Sequence, residues 1–222
     1  MKLEVCASNW ASALAAEQGG AGRIELCSAL SVGGLTPSYG LLQHVSTATH
    51  LQVMTLIRPR EGNFVYTDGE VQVMEQDIHA LRAMCSGFVF GALTPQGDID
   101  MRAMKRLMKA AQGMPVTFHR AFDRCRDPFT ALEQIIDLGC VRILTSGQQP
   151  QAVQGIDLLR RLNEQAAGRI IIMPGGGVTP DNARTILNHT GCHEIHASCS
   201  SGTGITDHSL VNQLLLSITA DY

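Results

Sequence analysis

Glu4 and Cys6 stand two positions apart in "KLEVCASNW", and Glu25 and Cys27 repeat that spacing in "GRIELCSAL". A carboxylate can take or give a proton, and a thiolate is a soft metal ligand. Two copies of one acid-x-thiol pattern in apolar runs therefore bring acid–base groups and sulfur ligands close together in sequence. Further along, "IRPREGNFVYTDGE" offers Arg58 and Arg60, and "VTFHRAFD" offers His119 and Arg120. "MPGGGVTPDN" sets Gly175, Gly176 and Gly177 ahead of a helix that Thr179 and Pro180 can start. Glycines in that position let an anion approach backbone N–H groups at the positive end of a helix. The small, hydroxyl-rich loop "SCSSGTG" begins at Ser198.

These residues need elements to position them. Eight short apolar runs fall at residues 3–6, 23–27, 51–57, 88–93, 115–119, 141–145, 169–173 and 194–197. Helical patterns follow them, among them 68–85, 100–112, 127–138, about 151–165 and 206–219. The 68–85 stretch carries Val71, Met74, Ile78, Leu81 and Met84 on one face. Regular strand–helix alternation implies a parallel sheet. Eight such units in 222 residues fit a closed (β/α)8 TIM barrel, one domain spanning residues 1–222. An open doubly wound sheet is the alternative, but it would show a glycine-rich fingerprint after the first strand. "CASNWA" is not that fingerprint.

Side chains alternate across a strand. Leu3 and Val5 then share one side, and Glu4 and Cys6 the other. The same alternation turns Glu25, Cys27, Thr117, His119, Glu194, His196 and Ser198 toward the barrel interior. Buried carboxylates are costly unless paired, and Arg58, Arg60 and Arg120 are the candidate partners. The C-terminal strand ends, where such barrels do chemistry, receive Cys6, Cys27, Arg58, His119, Ser146, Ser198 and the three glycines. Two readings follow. In one, Glu4, Glu25, His119 and Arg58 form a catalytic set, while Arg60, Gly175, Gly176, Gly177 and Ser198 bind an anion. In the other, arginines neutralise the carboxylates, the cysteines pack, His119 makes a core hydrogen bond and the glycines only turn the chain.

Composition narrows the partners. A net charge of −3 offers no basic surface for nucleic acid. No apolar run is long enough to span a membrane, and no signal peptide is visible at the start. The seven cysteines are odd in number and scattered, with no C-x-x-C pair. This pattern suits a reduced, cytoplasmic chain.

Several blocks together resemble one family. "LEVCASNWASALAAEQGGAGRIELCSALSVGGLTPS", "IRPREGNFVYTDGE", "VTFHRAFD", "ILTSG" and "IIMPGGGV" are similar, in order, to the copper homeostasis protein CutC family, from residue 3 to about 198. The resemblance implies a (β/α)8 barrel, a cytosolic location, a role in copper handling, and self-association as a homodimer or higher homo-oligomer. It also implies copper(I) binding by the cysteines of the "EVC" and "ELC" blocks, here Cys6 and Cys27. Adjacent strands lie about 4.8 Å apart. Inward positions on neighbouring strands are staggered, so the two sulfurs are expected to need some movement to share one ion. The chain departs from the family pattern after the eighth strand, where "ASCSSGTGITDHS" passes quickly into the last helix. The alternative function is a TIM-barrel enzyme acting on a small phosphorylated or carboxylated metabolite at the C-terminal mouth.

Overall fold

The computed structural model describes residues 1–200 and 204–219. Eight strands occur among them: β1 (Lys2–Ala7), β2 (Arg23–Leu26), β3 (Gln52–Leu56), β4 (Gly87–Phe90), β5 (Val116–Phe118), β6 (Arg142–Thr145), β7 (Ile171–Pro174) and β8 (Glu194–Ala197). They alternate with α1 (Trp10–Gln18), α2 (Tyr39–Ala48), α3 (Asp68–Leu81), α4 (Met101–Ala111), α5 (Pro128–Asp137), α6 (Ile156–Ala166), α7 (Pro180–Thr190) and α8 (His208–Thr219). Neighbouring strands pair in parallel, in sequence order from β1 to β7, with β8 beside β1. A parallel bridge between Gly175 and His196 joins the β7 and β8 edges. The result is a single-domain (β/α)8 TIM barrel. No helix among the described residues is long and apolar enough to cross a membrane.

Local chemistry starts the helices where the sequence suggests. Asn9 accepts from the Ser12 amide to cap α1, and Ser38 accepts from the Leu41 amide to cap α2. Thr67 and Glu70 form a reciprocal capping box at α3. Pro180 opens α7 behind Thr179. The apolar face of α3 buries Val71, Met74, Ile78 and Leu81, each worth roughly 1.5–3 kcal/mol of removal from water.

Boundaries differ where glycines or tight turns intervene. The helix expected from about 151 begins as a 3-10 turn, Ala152–Gly155, and becomes α6 at Ile156. Gly155 lies against the Ser146 carbonyl and Gly147 backbone, so this turn is set by a close backbone approach. The helix expected over 68–85 ends at Leu81, and Arg82–Met84 tighten into a 3-10 turn. The strand expected over 88–93 stops at Phe90, and a Cβ at Gly91, the next residue, would strike the Phe118 and His119 rings.

The two sides of the sheet separate as the alternation predicts. Leu3, Val5, Ile24 and Leu26 join the large apolar layer between sheet and helices. Cys6, Cys27, Met54, Leu56 and Val89 form a second, smaller cluster.

Candidate functional site

The barrel interior holds an ionic floor. Arg23 Nε donates to Glu4 Oε2 at 2.6 Å, and Arg23 Nη2 donates to Glu194 Oε2. Arg142 Nε donates to the same Glu194 oxygen at 2.7 Å, and its Nη1 donates to Thr117 Oγ1 at 3.1 Å. His196 Nδ1 lies 2.9 Å from Glu4 Oε1. Glu4 has no exposed surface and Arg23 only 2%. Burial raises the Glu4 carboxyl, but the His196 hydrogen bond and the Arg23 charge outweigh it and hold the group below its usual range. Burial lowers His196, yet its hydrogen bond to Glu4 and the Glu4 and Glu25 charges lift it above the ordinary histidine value.

This floor corrects the expected pairing. Arg58 does not meet either glutamate. Its Nη1 donates to the Val32 and Gly34 carbonyls at 3.0 and 2.9 Å, and its Nη2 to the Gly62 carbonyl at 3.0 Å. It clamps the loops after β2 and β3 and stacks on Phe64 at 5.0 Å. Arg120 turns instead to Asp123 and Ser146. Arg60 is not at the site expected for an anion: it pairs with Glu70 at the start of α3 and donates to the Asn63 and Val65 carbonyls. The actual counter-ions, Arg23 and Arg142, were missed by sequence reasoning. Their signal was present: Arg23 precedes Glu25 by two, and so shares its inward face.

Above the floor lies a cavity of about 230 Å³, whose walls include Cys6, Glu25, Arg58, His119, Arg120, Gly176, Gly177, His196 and Ser198. Cys27 is fully buried beside it. Strand register pairs Cys6 with Glu25, so Cys27 stands diagonally from Cys6, as the stagger predicts. The two sulfurs are nevertheless 3.9 Å apart. Candidate ligand atoms of Cys6, Glu25 and His196 also lie within 4.8 Å of one another. The hydrogen bond with Cys27, burial and the nearby Glu25 and Glu4 charges all raise the Cys6 thiol well above its ordinary value.

Three buried polar atoms of cavity-lining residues lack partners among the described residues: Arg58 Nε, Glu25 Oε2 and His119 Nε2. Glu25 Oε2 is buried without a hydrogen bond, and burial pushes this carboxyl up to about 7. His119 Nε2 is likewise buried without a partner. The Ala121 amide donates to His119 Nδ1 at 3.3 Å, which places the ring proton on Nε2. Burial, then the Arg58 charge, lowers His119 to about 3. The ring is therefore a neutral donor at ordinary pH, packed 4.8 Å from the Phe64 ring.

The three glycines divide in role. Gly175 continues β7, where a methyl would strike the Leu144 side chain. Gly176 and Gly177 have φ of +105° and +66°, and both reach the cavity. A Cβ on Gly176 would stand 3.1 Å from Arg120 Nη1, so the guanidinium covers this backbone closely. Residues 201–203 of the hydroxyl-rich loop lie outside the described residues; Ser198 lines the cavity.

Comparison with known proteins fits this geometry. A model of the CutC family matches residues 1–201. A CutC protein of Parabacteroides distasonis is 52% identical over 201 residues, covering 90% of this chain and 83% of that protein. The human copper homeostasis protein cutC homolog is 50% identical over 200 residues, covering 90% of this chain and 73% of that protein. The crystal structure of CutC from Streptococcus agalactiae superposes with a TM-score of 0.86 at 37% identity, over 89% of this chain and 98% of that one. Phosphoribosylanthranilate isomerase of Thermotoga maritima shares the fold alone, with a TM-score of 0.66 at 12% identity. With residues 1–201, which hold all eight strands, matched by the family model and about half of the aligned residues identical to named relatives, this chain belongs to the CutC family.

Proposed function

We propose that this chain serves copper homeostasis by binding copper(I) as cargo through Cys6 and Cys27. The observation that carries the reading is the pair of buried sulfurs 3.9 Å apart. One ion with metal–sulfur bonds of about 2.3 Å can span that distance. Copper(I) is soft and favours thiolate, so the donor set suits it. His196 and Glu25 are the candidate further ligands, since a ring nitrogen and a carboxylate oxygen share a compact cluster with the Cys6 sulfur. Both thiols must lose protons to bind, so loading releases protons. The names of the human and mouse relatives, copper homeostasis protein cutC homolog, support the role.

The proposal includes a cytoplasmic setting and self-association. All seven cysteines are free, which suits a reducing compartment. Sedimentation of the purified chain tests the oligomer.

An anaerobic competition titration against a copper(I) chelator tests the central claim. The wild type should take one ion tightly, and Cys6→Ser/Cys27→Ser should lose that site. Equal binding by both proteins would leave the cysteines as packing residues and end the reading.

A further inference from the structure

Copper binding uses neither His119, Arg120 nor the Gly176–Gly177 turn, yet all four residues face the same cavity. His119 is 5% exposed and presents an unpartnered Nε2 proton. Arg120 has two of its nitrogens committed. Nε donates to Asp123 Oδ2 at 2.8 Å and Nη2 donates to Ser146 Oγ at 2.9 Å. Its Nη1, the atom over Gly176, has no hydrogen-bond partner among the described residues. Asp123 is itself fixed by the Thr145 hydroxyl at 2.5 Å and the Ser146 amide at 3.0 Å. The guanidinium is thus held in one orientation before any ligand arrives.

The turn beneath it adds backbone donors. The amides of Gly177 and Val178 donate to no group among the described residues, and they lead directly into the N-terminus of α7, an 11-residue helix. Left-handed glycines followed by a helix N-terminus form an oxyanion cradle. Opposite this donor side stands an acceptor. Arg120 follows β5 and Gly176 follows β7, the strands flanking β6. Glu25 is on β2, across the ring from β6, and its Oε2 has no partner. One wall therefore offers N–H groups to an anion, and the far wall offers a carboxyl oxygen to a hydroxyl. The cavity of about 230 Å³ equals about eight water volumes at ~30 Å³ each, room for a compound of a few carbons.

We infer that the mouth of this barrel is a binding site for a small phosphate monoester carrying a hydroxyl group, with the phosphate held by Arg120, the Gly177 and Val178 amides and the His119 Nε2 proton, and the hydroxyl facing Glu25. The phosphate end contains no cysteine and is separate from the two-sulfur copper reading; only Glu25, at the hydroxyl end, also belongs to the donor group around Cys6.

Calorimetric titration of the full chain tests it, with glycerol 3-phosphate, inorganic phosphate and lactate as probes. Glycerol 3-phosphate should bind at one site per chain and more tightly than either other probe. Arg120→Gln and His119→Phe should each weaken it about tenfold or more, equivalent to ~1.4 kcal/mol. Arg60→Gln, which removes a cation outside the cavity, should change it less than about twofold. Circular dichroism melts show that each variant is folded. Absence of saturable glycerol 3-phosphate binding would overturn the inference, as would unchanged binding in both cavity variants or an equal loss in Arg60→Gln. Inorganic phosphate binding as tightly would remove the organic part of the assignment, and tighter lactate binding would remove the phosphate.

Discussion

Glu25→Gln gives the sharpest test of how the interior is built. Glu25 is 7% exposed, and its Oε2 has no hydrogen bond. Burial raises its pKa from 4.5 to about 7, against the opposing pull of His196. An acid with a raised folded-state pKa stabilises the fold in its protonated form. That stability is complete below the unfolded value, near 4.5, and is lost as pH rises through about 7. At about 1.4 kcal/mol per pKa unit, the loss across the full window is about 3 kcal/mol. Glutamine keeps the shape and cannot ionise, so the variant should not suffer this loss. The fixed cost of burying an amide cancels when each protein is compared with itself at two pH values. Urea unfolding at pH 4.5 and 8.5, with chelator present, should show the wild type losing about 3 kcal/mol relative to the variant. In thermal melts this corresponds to about 6–12 °C for a chain of this size. Stability profiles parallel within ~0.5 kcal/mol would refute the reasoning, because Glu25 would then be as well solvated folded as unfolded.

Three further outcomes follow from individual contacts. Arg23→Met leaves Glu4 and Glu194 short of their shared counter-ion and should cost about 3–5 kcal/mol in urea unfolding; a loss under ~1 kcal/mol would mean that water replaces the guanidinium. Gly155→Ala pushes a methyl into the Ser146 carbonyl and Gly147 backbone, neither of which can rotate away. It should cost about 1–3 kcal/mol, and an unchanged melting temperature would show that the turn before α6 yields. Thr67→Ala removes half of the capping box at α3 and should cost about 1 kcal/mol; amide exchange confined to the first turn of α3 is the direct readout.

Much of the architecture was legible because the barrel's repeat is written in local terms. Each strand is a short apolar run, and the Thr179–Pro180 pair marks a helix start without reference to the rest of the chain. Period-two alternation also turned Glu4, Cys6, Glu25 and Cys27 to one side. It could not say which cation meets which carboxylate. Arg58 and Arg120 were sought because they follow strands. The long guanidinium of Arg58 instead folds back onto loop carbonyls, and that of Arg120 turns to Asp123. Arg60 looked like an anion ligand from its neighbour, but Glu70 ten residues later captures it. Such pairings depend on loop paths, which periodicity does not encode. The 3.9 Å sulfur separation is of the same kind: the register sets the diagonal, and side-chain rotamers set the distance.

The floor and the mouth close their charges differently, and that difference locates the adjustable part of the molecule. Arg23 and Arg142 face Glu4 and Glu194, two cations against two anions, in direct hydrogen bonds. Breaking that set strands a buried charge, so it acts as a fixed base for the cavity. His196 and Glu25 remain above it. His196 is tied to Glu4 by one nitrogen, while Glu25 has no hydrogen-bonded partner among the described residues and is influenced by His196 through charge. Together with the Cys6 thiol they form the compact group of three possible donors. The floor satisfies one nitrogen of His196 and leaves Glu25 Oε2 without a partner. Their unsatisfied capacity faces the cavity, where a cation at the sulfurs or a hydroxyl at Glu25 can complete it. A barrel built only for stability would have filled this layer with branched apolar side chains; here apolar side chains such as Leu56 and Leu144 share the cavity wall with Cys6, Glu25, His119 and His196.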